Sequence, residues 1–296
     1  MATEPLSVSA PLPMTMPMVP PPGARAFVDA AGWSDGEILP LAGDASFRRY
    51  FRVVAPGRQA VLMDAPPDKE DSRPFLTMAR YLNTHGFRAP RILAEDLEQG
   101  LILIEDFGDR LIRSVLEEAP EQELAIYGRA VDLITDLATR PPADVGIYEL
   151  PDYLREVRLF TEWTVPALGI TVDAEQYDAA WTRILAPFDR GAGGVTVLRD
   201  YHAENIMLLD DGDLGLLDFQ DALIGHPAYD LVSLLQDARR DVSPAIEAAM
   251  LDRYCAATGR DSVPDMNWYF AYNFFRLAGI MQGIKKRVID GTASSA

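Results

Sequence analysis

A polar loop between apolar, strand-like runs is the feature that most limits how this 296-residue chain can fold. The segment VTVLRDYHAENIMLLDDGDLGLLDFQDA (195–222) places Asp200 and Asn205 five residues apart. The runs NIMLLD and LGLLDF follow, joined by the turn DGD, and this pattern predicts a β-hairpin. Asp218 ends the second run, so we expect the hairpin to bring the oxygen-bearing side chains of Asp200, Asn205 and Asp218 around one point.

These three side chains have the chemistry that phosphoryl transfer requires. Mg²⁺ prefers oxygen ligands and leaves positions for phosphate oxygens. In phosphoryl transfer an Asp accepts the proton of the acceptor hydroxyl, while an Asn and a second Asp hold the metal. We therefore predict that Asp200 is the catalytic base, that Asn205 and Asp218 bind Mg²⁺, and that ATP is the co-substrate. An ordinary acidic turn is the alternative interpretation.

The order of the predicted elements indicates an α+β fold. Residues 35–106 predict three strands, a helix that ends at Gly86 and two further strands, whereas the chain after residue 110 is mainly helical. We divide the chain into a Pro-rich disordered tail (1–23), a β-rich N-lobe with a nucleotide lid and hinge (24–106), and a mainly helical C-lobe with the catalytic loop, metal site and acceptor pocket (107–296).

Charge and cysteine content limit the partners that this chain can have. A net charge of −18 argues against a nucleic-acid surface and against attraction to anionic lipid. No run approaches the roughly 18 apolar residues of a membrane span. The single cysteine, Cys255, excludes an internal disulfide framework and fits a reducing compartment. We expect a cytoplasmic protein that acts on small molecules, and leave its oligomeric state open.

The loop and hairpin resemble the aminoglycoside phosphotransferase and choline kinase-like family, which implies a protein-kinase-like two-lobed fold. The spacing D-x-x-x-x-N, then a strand and D-F, is that of the protein-kinase template. Leu198 and Arg199 depart from the family pattern, which commonly has His and Gly there, and Gln220 stands where protein kinases carry Gly. The stretch GHPAYDLVSLLQDARRD also matches the family, in which Asp230 would brace the catalytic loop.

The turn LAGDASFRRYFRV (41–53) is a candidate phosphate lid, because its small residues allow close backbone approach. The run LILIEDFGD (101–109) resembles the fifth strand and hinge, whose backbone would meet the adenine edge. The predicted nucleotide-binding residues are Gly43, Asp44, Ala45, Ser46, Phe47, Arg48, Arg49, Glu105, Asp106 and Phe107.

The strand lysine of kinases and its glutamate partner are both missing from this chain. Met63 stands near the expected lysine position, and the helix RPFLTMARYLNTH (73–85) contains no acidic residue. We predict that Arg48 or Arg49 contacts the phosphates instead. Solvent-facing strand charges are the alternative for both arginines.

Five stretches together resemble one branch of the family, the bacterial anomeric N-acetylmuramate/N-acetylglucosamine kinases. They are GDASFRRYFRV, VLMDAPP, LRDYHAENI, LLDFQDA and GHPAYDLVSLLQDARRDV, and the resemblance covers residues 35–290. It implies that ATP phosphorylates the anomeric hydroxyl of a 2-acetamido sugar, giving the sugar 1-phosphate in cell-wall (peptidoglycan) recycling. Asp200 would take the hydroxyl proton, and Arg199 would either stabilise the transferred group or brace the loop.

Candidate acceptor-binding residues lie in the catalytic loop and in the later helices. The stretch MNWYFAYNFFRLAGIMQG (266–283) is rich in the aromatic faces and amides that suit a sugar, although its spacing also fits a core helix. The predicted acceptor-binding residues are His202, Glu204, Asp221, Tyr153, Tyr272 and Arg276.

Two alternative functions have some support in the sequence. The acidic charge would favour a cationic acceptor, such as an amino alcohol or an aminoglycoside, but it is spread along the chain rather than focused near Asp200. The missing Lys–Glu pair would suit a catalytically weak, pseudokinase-like scaffold, but the base and both metal residues are present. A protein kinase is disfavoured, because no A-P-E segment follows Asp218.

Overall fold

The computed structural model describes residues 18–41, 47–185, 194–237, 239–263 and 266–289. Most of the predicted Pro-rich tail lies outside these ranges, and so do the predicted lid residues Gly43, Asp44, Ala45 and Ser46. Within them the fold is α+β and protein-kinase-like, with a β-rich N-lobe followed by a mainly helical C-lobe.

The N-lobe is built on a five-stranded antiparallel sheet in the order β1-β2-β3-β5-β4. Its strands are β1 (Glu37–Pro40), β2 (Arg49–Ala55), β3 (Arg58–Asp64), β4 (Ile92–Asp96) and β5 (Leu101–Glu105). Helix α1 (Ala24–Ala30) precedes the sheet, and α2 (Arg73–Thr84) connects β3 to β4. The sequence predicted all five of these strands and the helix between β3 and β4.

The sheet is covered on both faces because side chains alternate along each strand. Phe51 of β2 and Leu62 of β3 are fully buried in a cluster with Val28 of α1. Val61 and Met63 of β3 point the other way, into the cluster that contains the apolar side of α2. Successive residues of β2 and β3 therefore face opposite sides of the sheet. One side packs on α1, and the other packs on α2 and the C-lobe.

The C-lobe combines helices with two short strand pairs. Its helices are α3 (Ile112–Glu118), α4 (Glu123–Leu137), α5 (Leu150–Leu159), α6 (Val165–Ala167), α7 (Ala174–Leu185), α8 (Tyr229–Leu235), α9 (Pro244–Thr258) and α10 (Met266–Ile289). Its strands are β6 (Val195–Val197), β7 (Ile206–Leu208), β8 (Leu214–Leu216) and β9 (Leu223–Gly225), and they pair as β6-β9 and β7-β8. In the described ranges, no helix has both the length and the apolar content that crossing a membrane requires.

One hydrophobic core runs from the sheet into the C-lobe. Buried Met63 of β3 and Phe75 of α2 share a cluster with Tyr127 of α4 and with Phe219. The rings of Phe75 and Phe219 are stacked, with centroids 5.2 Å apart. Since Phe219 follows Asp218, this contact ties the predicted metal ligand to the N-lobe helix.

Gly100 and Gly57 lie in turns of the N-lobe and have similar backbone conformations, but only Gly100 lies close to another part of the backbone. Both have a positive φ, 70° and 73°, which costs an ordinary side chain ~1–2 kcal/mol. A Cβ on Gly100 would lie 2.1 Å from the carbonyl oxygen of Ala65, whereas one on Gly57 would meet nothing within 4 Å. We expect Gly57→Ala to lower the free energy of unfolding by ~1 kcal/mol and Gly100→Ala by at least ~3 kcal/mol, measured by urea denaturation. Equal losses would contradict the close approach at Gly100.

Candidate active site

The β7–β8 hairpin positions the predicted metal ligands. Its register pairs Ile206 with Leu216, and Asn205 and Asp218 lie just beyond that end of the hairpin. The Leu217 amide donates to the Asn205 carbonyl at 2.9 Å, which extends the pairing toward them. As a result, Asn205 Nδ2 lies 3.4 Å from Asp218 Oδ2.

Asp200 joins this pair through its backbone. Asn205 Nδ2 donates to the Asp200 carbonyl oxygen at 2.9 Å, so one amide links the catalytic loop to the hairpin. The Asp218 carboxylate also accepts from Gln220 Nε2 at 2.6 Å. The structure therefore brings the Asn205 amide to the Asp218 carboxylate and to the backbone of Asp200.

The catalytic loop has a strained backbone that Asp230 holds in place. Arg199 (φ 70°) and Asp218 (φ 54°) are the non-glycine residues with positive φ in the described ranges, a conformation that L-residues seldom adopt. Asp230 of α8 accepts the Leu198 amide at 2.7 Å and the Arg199 amide at 2.9 Å. Ser233, one turn later, donates to the Arg199 carbonyl at 3.1 Å. The family glycine is thus replaced by an arginine whose unusual backbone is hydrogen-bonded on both sides.

The Arg199 side chain points to α5. It forms an ion pair with Glu156 and donates to the Asp221 carbonyl oxygen at 3.2 Å. Its guanidinium carbon also lies 5.0 Å from the centroid of the Tyr148 ring, within cation–π range. These contacts match the loop-bracing alternative for Arg199 rather than a position beside the transferred group.

Glu156 of α5 is the centre of a buried charge cluster that the sequence analysis missed. It is 6% exposed, and it pairs with Arg199 and with Arg276 Nε, the latter at 2.9 Å. The Tyr272 hydroxyl donates to it at 2.6 Å. Burial alone would raise the pKa of Glu156, but Arg276 and Arg199 lower it overall, so the carboxylate stays ionised.

Arg276 of α10 connects this cluster to the predicted base. Its Nη2 lies 3.2 Å from Asp200 Oδ1, while its Nε faces Glu156. The guanidinium is only 6% exposed, so its charge acts mainly on the two carboxylates. Arg276 therefore orients Asp200. The guanidinium predicted to contact the acceptor is instead bound to two carboxylates of the protein.

The acceptor contacts predicted for Tyr153 and Tyr272 are wrong for this structure. Both side chains are 2% exposed, and buried rings cannot touch a bound sugar. Tyr153 stacks on Tyr148 with centroids 3.9 Å apart, and the Tyr272 hydroxyl meets that of Tyr148 at 2.7 Å. These aromatic residues pack together in one buried cluster. The spacing that suggested a sugar platform is also that of a core helix.

The other predicted acceptor residues differ in exposure. His202 is buried, with Nε2 3.3 Å from Asn205 Nδ2, and its Nδ1 has no hydrogen-bond partner among the described residues. Burial and the charge of Arg239 lower the pKa of His202. Glu204 is half-buried between Arg113 and Arg239, with Arg239 Nε at 2.8 Å. Asp221 is exposed beside the loop.

A cleft of about 520 Å³ between the lobes adjoins this site. Asn205 and Asp218 line it on the C-lobe side. The predicted hinge lines it on the other, although the carboxylates there are already paired: Glu105 with Arg91 at 2.9 Å and Asp106 with Arg52 at 2.6 Å. Both hinge carboxylates are therefore paired with arginines.

The remaining lid residues occupy different faces of the sheet. Phe47 is exposed, with the Lys69 ammonium 5.5 Å from its ring centroid. Arg49 pairs with Asp64 on the face that carries Phe51. Arg48 lies on the opposite face, 3.6 Å from Glu70.

The donor set at the cleft fits Mg²⁺. In the described part of the chain, no three or more His, Cys, Asp and Glu side chains converge on a common metal site. A carboxylate and an amide, Asp218 and Asn205, suit a hard cation that takes its other ligands from water and phosphate oxygens. They would hold the ion, which when bound neutralises charge on the phosphates.

Residues 37–265 match the phosphotransferase enzyme family. Two curated bacterial proteins, each named N-acetylmuramate/N-acetylglucosamine kinase, are similar to most of the chain. The one from Caulobacter vibrioides is 36% identical over 88% of this chain and 85% of its own length. The one from Pseudomonas aeruginosa is 40% identical over 76% of this chain and 68% of its own length.

Solved structures agree on the fold. A Streptococcus pneumoniae choline kinase superposes with a TM-score of 0.61 at 13% identity, over 88% of this chain and 90% of that one. A Ralstonia eutropha protein superposes with a TM-score of 0.66 at 22% identity, over 88% and 86%. At such identities the likeness extends to the fold alone.

Asp230 should make stability depend on pH. Burial raises the pKa of Asp230 to about 7, although the amides of Leu198 and Arg199 lower it, and its value in the unfolded chain is ~3.9. A raised pKa stabilises the fold most below the unfolded value, and this contribution is lost as pH rises through the folded value. From about pH 5.5 to about pH 8.5, the wild type should lose ~2 kcal/mol of unfolding free energy relative to Asp230→Asn, measured by urea denaturation at each pH. Parallel pH profiles would contradict the raised pKa.

Glu156 should matter for stability far more than an exposed glutamate nearby. Glu156→Gln would leave the buried guanidinium groups of Arg199 and Arg276 without their shared anion. Breaking a buried pair in this way costs ~3–5 kcal/mol. The control is Glu162→Gln, at an exposed position six residues later, which should stay within ~0.5 kcal/mol of the wild type. A loss at Glu156 as small as that at Glu162 would show that the cluster does not support the fold.

Proposed function

Because this chain belongs to the phosphotransferase enzyme family and is similar over most of its length to bacterial sugar kinases, we propose that it phosphorylates N-acetylmuramate or N-acetylglucosamine. ATP is the donor, the anomeric hydroxyl is the acceptor, and the product is the sugar 1-phosphate. The observation that carries the proposal is the meeting of Asp200, Asn205 and Asp218 beside the interlobe cleft.

Asp200 serves as the general base in this proposal. Arg276 fixes its Oδ1 at 3.2 Å, so we assign Oδ2 to the acceptor hydroxyl. The anomeric hydroxyl is the most acidic hydroxyl of a sugar, so the demand on the base is modest. General-base catalysis of this kind contributes ~10²–10⁴-fold.

The nucleotide occupies the cleft in this proposal. Backbone groups of residues 105–107 meet the adenine edge, and the triphosphate extends toward Asn205 and Asp218. The cleft supports this placement because one cavity is lined both by these residues and by the metal ligands. The rings of Phe75 and Phe219 stack next to Asp218, and this contact fixes the Asp218 end of the cleft relative to the N-lobe.

The charge balance around Asp200 favours a neutral or anionic acceptor over a cationic one. Glu156 is compensated by Arg199 and Arg276, and Glu204 lies between Arg113 and Arg239. These pairs offset the charges of Glu156 and Glu204, which would otherwise attract an aminoglycoside or an amino alcohol. An N-acetylated sugar, whose amine no longer carries a charge, fits this environment better. His202, Glu204 and Asp221 stay our candidates for contacting it.

A cytoplasmic role in recycling cell-wall sugars completes the proposal. ATP is a cytoplasmic co-substrate, and the lone Cys255 fits a reducing compartment. A pseudokinase-like scaffold is the second candidate, motivated by the missing strand lysine. The Asp200 carboxylate oriented by Arg276 would serve no purpose in a scaffold.

Turnover assays separate these functions. Purified protein with ATP and Mg²⁺ would be offered N-acetylmuramate, N-acetylglucosamine, kanamycin and choline, and products read by ³¹P NMR. We expect phosphate on carbon 1 of the acetamido sugars, and Asp200→Asn should lower kcat by at least ~10²-fold. Asp210→Asn, a matched change on the exposed hairpin turn, should leave kcat unchanged. Phosphate on another carbon, or on kanamycin in preference, would refute the sugar 1-kinase assignment, and no turnover with any acceptor would favour the scaffold.

A further inference from the structure

The N-lobe lacks the strand lysine that in kinases contacts the phosphates of ATP, and it lacks the helix glutamate that pairs with that lysine. Another ion pair lies near the expected position of this lysine. Met63, at the expected lysine position, is fully buried against α2 and cannot be replaced by a charge without disrupting the core. Arg48 and Glu70 lie 3.6 Å apart, one next to β2 and the other just before α2.

Strand alternation separates Arg48 from Arg49. Tyr50 and Arg52 of β2 both line the interlobe cleft. Arg48 is two residues before Tyr50, so it belongs to the same face of the strand. Arg49 belongs to the other face, where it pairs with Asp64, its cross-strand neighbour on β3. Of the two arginines, only Arg48 is on the side of the predicted metal ligands.

Arg48 is unusually buried for a cation so near the sheet edge. The residue is 9% exposed, and burial alone would lower its pKa. The hydroxyl of Tyr50, which is hydrogen-bonded to Arg48, and the charges of Glu70 and Asp218 raise that pKa overall. Its interaction with Asp218 is notable, because Asp218 is the metal ligand at the other side of the cleft. A buried guanidinium beside these groups can bind an anion that enters between the lobes.

We propose that Arg48 binds the phosphates of the nucleotide and that Glu70 positions it, so that this pair does the work of the absent lysine and glutamate. The proposal rests on the proposed kinase function and adds the residue that binds the donor phosphates. A guanidinium suits both tasks at once, because its donors can face a carboxylate on one edge and phosphate oxygens on another. The cation thus comes from the residue before β2 instead of from β3, and its acidic partner from the turn before α2 instead of from the helix.

Binding measurements test this without relying on turnover. Titration calorimetry would compare ADP with Mg²⁺ against adenosine, which has no phosphate. We expect Arg48→Gln to weaken ADP binding by ~10–100-fold and to leave adenosine binding unchanged. Glu70→Gln should weaken ADP binding ~3–10-fold, because Arg48 would keep its charge but lose its positioning partner. Arg48→Lys should fall between Arg48→Gln and the wild type.

Two further variants separate the possible outcomes. Arg58→Gln removes an exposed arginine that pairs with Asp35 on the same sheet, and it should not change either affinity. Arg49→Gln should likewise leave ADP affinity unchanged, and a loss there but not at Arg48 would overturn the assignment. Equal loss of ADP and adenosine in Arg48→Gln would also overturn it, since that result indicates a folding role. The binding assay contains no acceptor, so its result does not depend on which acceptor the enzyme phosphorylates. A wrong sugar assignment can therefore be told apart from a wrong assignment of Arg48.

Discussion

The site depends on the carboxylate of Asp230, which holds the catalytic loop in a conformation that its own residues do not favour. Arg199 adopts a left-handed backbone, and both it and Leu198 donate their amides to Asp230. Without these bonds two buried N–H groups would have no acceptor, at a cost of ~1–3 kcal/mol each. The bonds fix the peptide that precedes Asp200. Helix α8, which carries no catalytic group, thereby sets the position of the base.

Charge compensation is the second constraint on the site. Asp200, Glu156, Arg199 and Arg276 form a chain in which each charge faces an opposite one. Buried charges are tolerated only when paired in this way. The same pairing orients Asp200, the proposed base, so stability and chemistry have a common cause.

Local features of the site followed from the sequence, and long-range features did not. The spacing of Asp200, Asn205 and Asp218 within one hairpin was enough to predict their meeting, because neighbouring strands have few possible registers. Glu156 was missed, although a carboxylate between buried Tyr153 and Val157 on one helix is a signal that could have been noticed. The acceptor roles given to Tyr153 and Tyr272 failed because aromatic spacing is the same in a core helix and in a sugar platform.

By itself the sequence determined the α+β order of elements, the hairpin and the three polar residues that it gathers. These depend on periodicity and turns, which act over a few residues. Only the tertiary structure decided that Arg276 reaches Asp200 across 76 residues, that Arg199 pairs with Glu156, and that Arg49 pairs with Asp64 while Arg48 lies near Glu70. Those outcomes depend on how α5, α10 and the sheet pack together, and packing places side chains through contacts that no local pattern records.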